Sequence, residues 1–315
     1  MRGRSAYDRP VARPFRFALQ MMSLDDPDHV AQAAADAQRL GYEELYSYDH
    51  LGTVDPFAPL MVAAAAATTV GVGPLVLNNE FHHPALLART AATVDRMIGG
   101  RLILGIGTGY MQSEHDAMAL RLLPPGPRVR RLGESLEVLR SLLDTGTATF
   151  DGEFHHIAVE SLGIRPAREH VPFLIGGHGR RVVALAARFA DIFQFTGLVH
   201  GEGGAPAPGG FALDHVRQRA VWLAADAGDR LDDIERSALV QMMHLGPGAD
   251  EAVGAIIERF GSTPELIAET PFMFYGSVEQ VIDKIERLRE DVGISHYVVR
   301  DAEQFAPVVA ALAGK

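Results

Sequence analysis

Short runs of apolar residues alternate along the chain with longer segments whose apolar residues recur every three or four positions. The short runs predict buried strands, and the longer segments predict helices with one face against a core. The predicted strands lie at residues 15–21, 43–48, 72–78, 102–106, 173–175, 191–195, 234–244 and 295–299. Each strand is followed by a predicted helix, an order typical of a parallel sheet. Eight such units in 315 residues predict an α/β fold, the (β/α)8 TIM barrel.

Residues typical of helix starts and ends flank two of the predicted helices. Asp26 stands at the N-cap of the helix after the first strand, Pro27 at its first position, and Gly41 follows its end. Ser277 and Gln280 have the three-residue spacing of a capping box before the last predicted strand. These signals place helix boundaries independently of the apolar pattern.

No change of composition divides the chain, so we expect a single barrel domain at residues 15–315 and an N-terminal extension at residues 1–14. Insertions into the barrel are expected after strands four and six. The first contains a hairpin predicted at residues 147–157 from its alternating pattern and its Asp-Gly turn. The second is the Gly- and Pro-rich segment 197–210, which exceeds the usual connection of about 2–6 residues. A surface insertion and a lid over the active site are both open interpretations of it.

Charge and composition narrow the class of protein. The chain has 29 basic and 40 acidic residues, a net charge of −11, which argues against a nucleic-acid-binding surface. No apolar run reaches the ~18 residues of a membrane span, and the basic start of the chain lacks the apolar stretch of a signal peptide. We therefore expect a cytoplasmic protein that binds neither nucleic acid nor membrane.

Missing residue types exclude further chemistry. The chain has no cysteine, which excludes disulfides, thiolate metal sites and a cysteine nucleophile. No histidines have the spacing of a metal site such as HExxH, so we predict no bound metal. The lysines are Lys284 and Lys315 alone, which leaves little scope for a lysine–phosphate clamp.

A histidine with an acidic neighbour follows the second predicted strand, at the barrel face where TIM-barrel active sites lie. His50 titrates near neutrality and so can move a proton, and Asp49 can orient its imidazole. The alternative is a loop histidine beside an aspartate that caps a helix. The pair is therefore a candidate catalytic site.

Two glycine-rich segments follow other predicted strands. After strand five, bare backbone N–H groups before a helix can bind a phosphate; the residues are Gly176, Gly177, His178, Gly179 and Arg180. After strand four, a second candidate adds a hydroxyl group; its residues are Gly107, Thr108 and Gly109. Neither has the spacing of a dinucleotide-binding fingerprint, and a tight turn is the alternative for both.

Taken together, these segments resemble the luciferase-like monooxygenase superfamily, especially its coenzyme F420-dependent oxidoreductases. The resemblance covers roughly residues 15–299 and rests on the Asp-His pair, the segments 76–84, 92–102, 105–109 and 173–179, and the helix and strand start at 186–191. Two positions depart from the family pattern. His82 stands where the family usually has arginine, and Tyr110 stands where its sugar-phosphate dehydrogenases have glutamate.

The resemblance implies a deazaflavin cofactor across the carboxyl ends of the strands, with His50 as proton donor or acceptor and Asp49 as its orienter. The implied cofactor contacts are Leu77, Asn78, Asn79, Gly107, Thr108, Gly109, Gly176, Gly177, His178, Gly179 and Arg180. The implied substrate contacts are Gln20, Tyr110, Leu198 and His200. The family also implies a non-proline cis peptide at Leu77–Asn78 or one residue to either side. Two arginine clusters could meet the anionic tail of F420; they are Arg128, Arg130 and Arg131, and Arg180 and Arg181.

The function that these expectations favour is hydride transfer between F420 and a small organic substrate, by a homodimeric enzyme. An FMN-dependent monooxygenase of the same superfamily is the first alternative. A non-catalytic flavin- or deazaflavin-binding protein is the second. Oxidation of a sugar phosphate is disfavoured, because the family members that perform it use lysines that this chain lacks.

Overall fold

The alternation of strands and helices expected from the sequence runs through the computed structural model, which describes residues 13–200, 206–207 and 210–315. The strands are β1 Arg16–Gln20, β2 Glu44–Ser47, β3 Gly71–Pro74, β4 Leu77–Asn78, β5 Leu104–Gly107, β6 Ala148–Asp151, β7 His156–Val159, β8 Phe173–Gly177, β9 Ile192–Phe195, β10 Val199–His200, β11 Pro206–Ala207, β12 Glu235–Leu239, β13 Met242–Leu245, β14 Met273–Gly276 and β15 Ile294–Val299. The helices are α1 Pro27–Arg39, α2 Phe57–Ala66, α3 Pro84–Met97, α4 Gln112–Ala117, α5 Pro125–Thr145, α6 Arg180–Phe189, α7 Leu213–Ala227, α8 Ala249–Phe260, α9 Pro264–Glu269, α10 Val278–Val292 and α11 Ala302–Leu312. Most of the predicted N-terminal extension lies outside the described residues.

Nine parallel strands form a nearly closed barrel in the order β3, β2, β1, β15, β12, β9, β8, β5, β4. A bridge between Val72 and Leu102 joins β3 to the chain just before β5. The predicted TIM barrel is confirmed. Because all barrel strands run in one direction, their carboxyl ends meet at a single edge, which is where the site is built.

The third predicted strand, residues 72–78, is divided in the structure. It forms β3 and β4, and the non-proline cis peptide Leu75–Val76 lies between them. The expected cis peptide is therefore present, but its predicted position at Leu77–Asn78 or one residue to either side was wrong. The apolar pattern continues through residues 75–77 and so carries no signal of the division.

The seventh predicted strand, residues 234–244, is divided as well. β12 belongs to the barrel, whereas β13 leaves it and pairs in parallel with β14. The backbone N–H of Gln241 donates to Phe272 O at 2.9 Å, which turns the chain away from the barrel after β12. The result is an insertion in which β13 and β14 flank two helices, α8 and α9. The apolar pattern predicts these two helices, but it does not predict the insertion or the strand pair β13–β14.

The two predicted insertions have their own small sheets. The hairpin predicted at residues 147–157 is confirmed as the antiparallel pair of β6 and β7. β10 and β11 form an antiparallel pair after β9. Residues 201–205 and 208–209 of segment 197–210 lie outside the described residues, so its two interpretations are not distinguished.

Helix capping follows the sequence signals. The Asp26 carboxylate accepts from the backbone N–H groups of Asp28 and His29 at the start of α1. Ser277 and Gln280 form the predicted capping box at the start of α10. Across the described ranges, no helix combines the length and apolarity needed to cross a bilayer.

Candidate active site at the carboxyl ends of the barrel strands

A cavity of about 580 Å³ opens at the carboxyl edge of the barrel, a size usual for small-molecule sites. Every barrel strand either ends in the cavity or is followed directly by residues that line it. The predicted site residues among the lining are Gln20, Asp49, His50, Leu77, Asn78, Gly107, Thr108, Gly109, Tyr110, Gly176, Gly177, His178, Gly179 and Leu198. The fold thus brings together predicted site residues that are up to 178 positions apart in sequence, from Gln20 to Leu198.

Three predicted site residues are placed differently. Asn79 is buried beside the cavity in the turn that follows β4 and does not line it. Arg180 also lies outside the lining, since its guanidinium donates to the Asp226 carboxylate and stacks near Trp222. The side chain of His200 lies outside the described residues.

The imidazole of His50 is held from both sides. Its Nδ1 lies 2.7 Å from Glu114 Oε1, and its Nε2 lies 3.5 Å from the Tyr110 hydroxyl. A carboxylate can only accept, so Nδ1 carries a hydrogen and donates it to Glu114. In the neutral ring, Nε2 is then the acceptor that faces Tyr110 and the cavity. This arrangement presents one defined nitrogen for proton transfer.

The sequence predicted that Asp49 orients His50, but the carboxylate that contacts the ring is that of Glu114. The Asp49 carboxylate instead accepts from the backbone N–H of Asn78 at 2.9 Å and lies 3.3 Å from His82 Nε2. It therefore joins the loop after β2 to β4 and does not contact His50. Adjacent residues in extended chain point in different directions, so the Asp-His spacing could not show which carboxylate reaches the ring.

The sequence offered no specific signal for Glu114. It lies on the six-residue helix α4, 64 positions after His50, in a polar segment typical of a solvated helix face. In the structure its side chain is buried. The only feature of the sequence that could have indicated a site residue here is that α4 follows a barrel strand, β5.

Burial sets the charge state of two groups around the cavity. Burial, and then the charge of Glu114, raise the pKa of Tyr110, so its hydroxyl keeps its proton at neutral pH. Burial, and then the charge of Arg219, lower the pKa of His178, so that ring stays neutral. Tyr110 is thus available as a hydrogen-bond donor beside His50.

The two predicted arginine clusters are mostly engaged with carboxylates. Arg130 donates to Glu153 at 2.8 and 2.9 Å, and Arg131 lies 3.3 Å from Glu80. Arg128 lines the cavity, and its buried Nε has no hydrogen-bond partner among the residues that the structure describes. Of the clusters, Arg128 is therefore best placed to meet a ligand.

Replacement of Glu114 should lower turnover through His50. Glu114→Ala removes a hydrogen bond to a charged group, which contributes about 1.5–3 kcal/mol, so we expect kcat to fall roughly 10- to 150-fold. Glu114→Gln keeps an acceptor oxygen for Nδ1, so its kcat should fall less. The matched control is Asp116→Asn on the exposed side of the same helix. Equal losses of kcat in Glu114→Ala and Asp116→Asn would contradict the prediction that Glu114 orients His50.

The fold and cavity are those of a TIM-barrel protein with a small-molecule site at the carboxyl ends of its strands. The family model for luciferase-like monooxygenases matches residues 11–264, and the chain belongs to this family.

Curated relatives with named activities match parts of the chain. The F420-dependent glucose-6-phosphate dehydrogenase of Nakamurella multipartita is 32% identical over 195 residues, 58% of this chain and 56% of the relative. The 5,10-methylenetetrahydromethanopterin reductase of Archaeoglobus fulgidus is 28% identical over 155 residues, 49% of this chain and 45% of the relative. The chain thus spans about half the length of the curated relatives that it matches.

Solved structures share the fold over nearly the whole chain. An F420-dependent secondary alcohol dehydrogenase in complex with an F420-acetone adduct has a TM-score of 0.77 at 19% identity, covering 95% of this chain and 99% of the other. The coenzyme F420-dependent tetrahydromethanopterin reductase from Methanopyrus kandleri has a TM-score of 0.74 at 21% identity, with 95% and 98% covered. At these identities the similarity shows the fold alone.

Proposed function

We propose that this protein is an oxidoreductase that uses coenzyme F420 to transfer a hydride to or from a small organic substrate. The observation that carries the proposal is one cavity that joins a hydrogen-bonded histidine, His50, to a glycine-rich segment before a helix, residues 176–179. The first is suited to proton transfer and the second to binding a phosphate group. Relatives named as F420-dependent glucose-6-phosphate dehydrogenases support the choice of cofactor.

The glycine-rich segment fits the phosphate end of such a cofactor. A Cβ on Gly177 would lie 2.5 Å from Val182 Cγ1, so only glycine fits there, whereas a Cβ on Gly179 would have no described atom within 4 Å. Gly179 is also the N-cap of α6 and offers no side chain to the first N–H groups of the helix. Open backbone N–H groups at a helix start favour an anion.

When bound, the deazaflavin would supply or accept the hydride, and the chain supplies the rest. His50 would accept or donate the substrate proton at Nε2, while Glu114 holds the ring at Nδ1 and the Tyr110 hydroxyl lies 3.5 Å from Nε2. The cavity walls would exclude water from the reacting atoms.

The lysines argue against a sugar phosphate as substrate. Lys284 is buried and donates to the carbonyl oxygens of Ile267 and Met273, and within the described part of the chain neither it nor Lys315 lines the cavity. We therefore propose a small organic substrate without a phosphate group.

The cofactor is tested by titration of the purified protein with F420 and, separately, with FMN, followed by fluorescence. We expect F420 to bind more tightly, because its phosphate and anionic tail can meet both the start of α6 and Arg128. FMN binding that is tighter by more than tenfold, about 1.4 kcal/mol, would contradict the assignment. It would favour an FMN-dependent monooxygenase, which the family description also accommodates.

A substitution at the start of α6 tests whether F420 binds there. Gly179→Leu places a side chain in the open space before α6 without backbone strain, so F420 affinity should fall at least about tenfold. Gly254→Ala, at an open position on α8 away from the cavity, is the control. A screen of alcohols and carbonyl compounds, read from F420 absorbance, then identifies substrates.

A further inference from the structure

Polar side chains fill part of the barrel interior, where TIM barrels usually pack branched apolar residues. At the amino-terminal end, Arg16 lies between two buried glutamates. It donates to Glu44, and its Nη1 lies 2.7 Å from Glu235 Oε2. The Tyr46 hydroxyl also donates to Glu44. A charged cluster therefore occupies the barrel end opposite the cavity.

His296 connects this cluster to the middle of the barrel. Its side chain is fully buried, with Nε2 3.2 Å from Glu44 Oε2 and Nδ1 2.8 Å from Ser237 Oγ. Burial opposes the positive charge on His296, but Glu44 and Glu235 outweigh burial, and the pKa of His296 is raised. Burial likewise opposes ionisation of Glu44, yet His296 and Arg16 lower its pKa to about 2. The short contact and the two pKa shifts together favour a buried imidazolium–carboxylate pair.

The charge on His296 fixes the direction of the next hydrogen bonds. Both nitrogens of an imidazolium donate, so Ser237 Oγ accepts from Nδ1 and its own hydrogen is free to point elsewhere. Ser237 Oγ lies 3.4 Å from Gln194 Oε1 and donates to it. An amide that accepts at Oε1 turns its Nε2 group away from Ser237.

The Gln194 amide reaches the floor of the cavity. Gln194 is 2% exposed and lines the cavity, and its Nε2 has no hydrogen-bond partner within residues 13–200, 206–207 and 210–315. Thr196 lies two positions further along, on the same face of the chain, and also lines the cavity. Its buried Oγ1 lacks a partner over the same ranges. Burial of donors without a partner is unfavourable, so the cavity floor is suited to a ligand that carries a hydrogen-bond acceptor.

We propose that Gln194 is a specificity-determining residue that donates a hydrogen bond to an acceptor oxygen of the substrate, and that His296 and Ser237 are positioning residues that hold its amide in the donor orientation. A neutral His296 would accept from Ser237 at Nδ1. Ser237 would then accept from Gln194, and the amide would present its carbonyl to the cavity. We call the hydrogen-bonded series His296, Ser237 and Gln194 the relay. The relay thus selects substrates with a carbonyl oxygen over analogues without one.

The inference deepens the proposed function and rests on one part of it, that the substrate occupies this cavity. It does not depend on which cofactor binds, so it is tested without cofactor. The probes are 4-fluoroacetophenone and 4-fluoro-α-methylstyrene, which have the same shape but differ in a carbonyl oxygen against a methylene group. Fluorine NMR gives the dissociation constant of each. The measured quantity is the preference for the ketone, expressed as the ratio of the two constants.

Two variants should remove this preference. In Gln194→Leu the ratio should fall at least about fivefold, which corresponds to about 1 kcal/mol for one hydrogen bond. Ser237→Ala keeps Gln194 but frees its amide to turn, and the ratio should fall by a similar factor. The matched control is Ser295→Ala, a buried serine on β15 that lies outside the relay, and its ratio should stay within about twofold of the unsubstituted protein.

A pH series separates positioning from a merely structural role. The groups that face His296 are Glu44 and Tyr46 from β2, Glu235 and Ser237 from β12, and Arg16 from β1. The ketone preference should persist at neutral pH and disappear as the pH rises through the raised pKa of His296. In Ser237→Ala the remaining preference should not depend on pH.

Each outcome decides the inference. A ketone preference that is unchanged in both Gln194→Leu and Ser237→Ala overturns it, and so does the failure of both probes to bind at millimolar concentration. If Gln194→Leu does not fold, Ser237→Ala and the pH series decide alone. If the unsubstituted protein does not bind F420 but shows the ketone preference, the proposed cofactor is refuted and this inference stands.

Discussion

Replacing His50 by alanine is expected to lower kcat by roughly 10²–10⁴-fold while the dissociation constant of the cofactor changes only a few-fold. The imidazole presents Nε2 to the cavity, and Glu114 and Tyr110 hold it there. Removing it deletes the group that we propose transfers the proton but leaves the glycine-rich segment before α6 intact. The measurement is F420 turnover with a substrate from the screen, together with a cofactor titration.

Controls separate a catalytic role from a binding role. His29→Ala, an exposed histidine on α1, should behave as the unsubstituted protein. An unchanged kcat with weakened cofactor binding in His50→Ala would make His50 a binding residue only. If Glu114 acts through His50, adding Glu114→Ala to His50→Ala should cause little further loss, because coupled residues are not additive.

Replacing Asp95 by alanine is expected to lower the free energy of unfolding by about 3–5 kcal/mol. Asp95 is fully buried on α3, and its two oxygens accept four hydrogen bonds. The donors are Leu102 N, Ala167 N, Arg168 N and Arg168 Nε. Without the carboxylate, backbone N–H groups ahead of β5 and β8 lose their acceptor inside the protein.

The measurement is urea unfolding, followed by circular dichroism. Asp95→Asn keeps one acceptor oxygen, so its free energy of unfolding should fall by an intermediate amount. Asp283→Asn, at an exposed position on α10, should stay within about 0.5 kcal/mol. A loss below about 1 kcal/mol in Asp95→Ala would show that solvent replaces these hydrogen bonds.

The sequence by itself determined the barrel and the edge at which the site lies. Strand and helix periodicity is local, and the alternation of the two leaves a parallel barrel as the way to bury every strand. The side chains and glycines that follow the strands must then gather at the carboxyl edge. His50 and residues 176–179 were found for this reason, although they are more than 120 positions apart in sequence.

Only the tertiary structure decided which side chains meet. The break at Leu75–Val76 lies inside a continuous apolar run, and the break after β12 has neither glycine nor proline to mark it. Glu114, and not Asp49, contacts His50, because the tertiary fold places α4 beside the loop that follows β2. The relay through His296, Ser237 and Gln194 joins three strands by their register in the closed sheet. Register is a property of paired strands, and the sequence of one strand does not contain it.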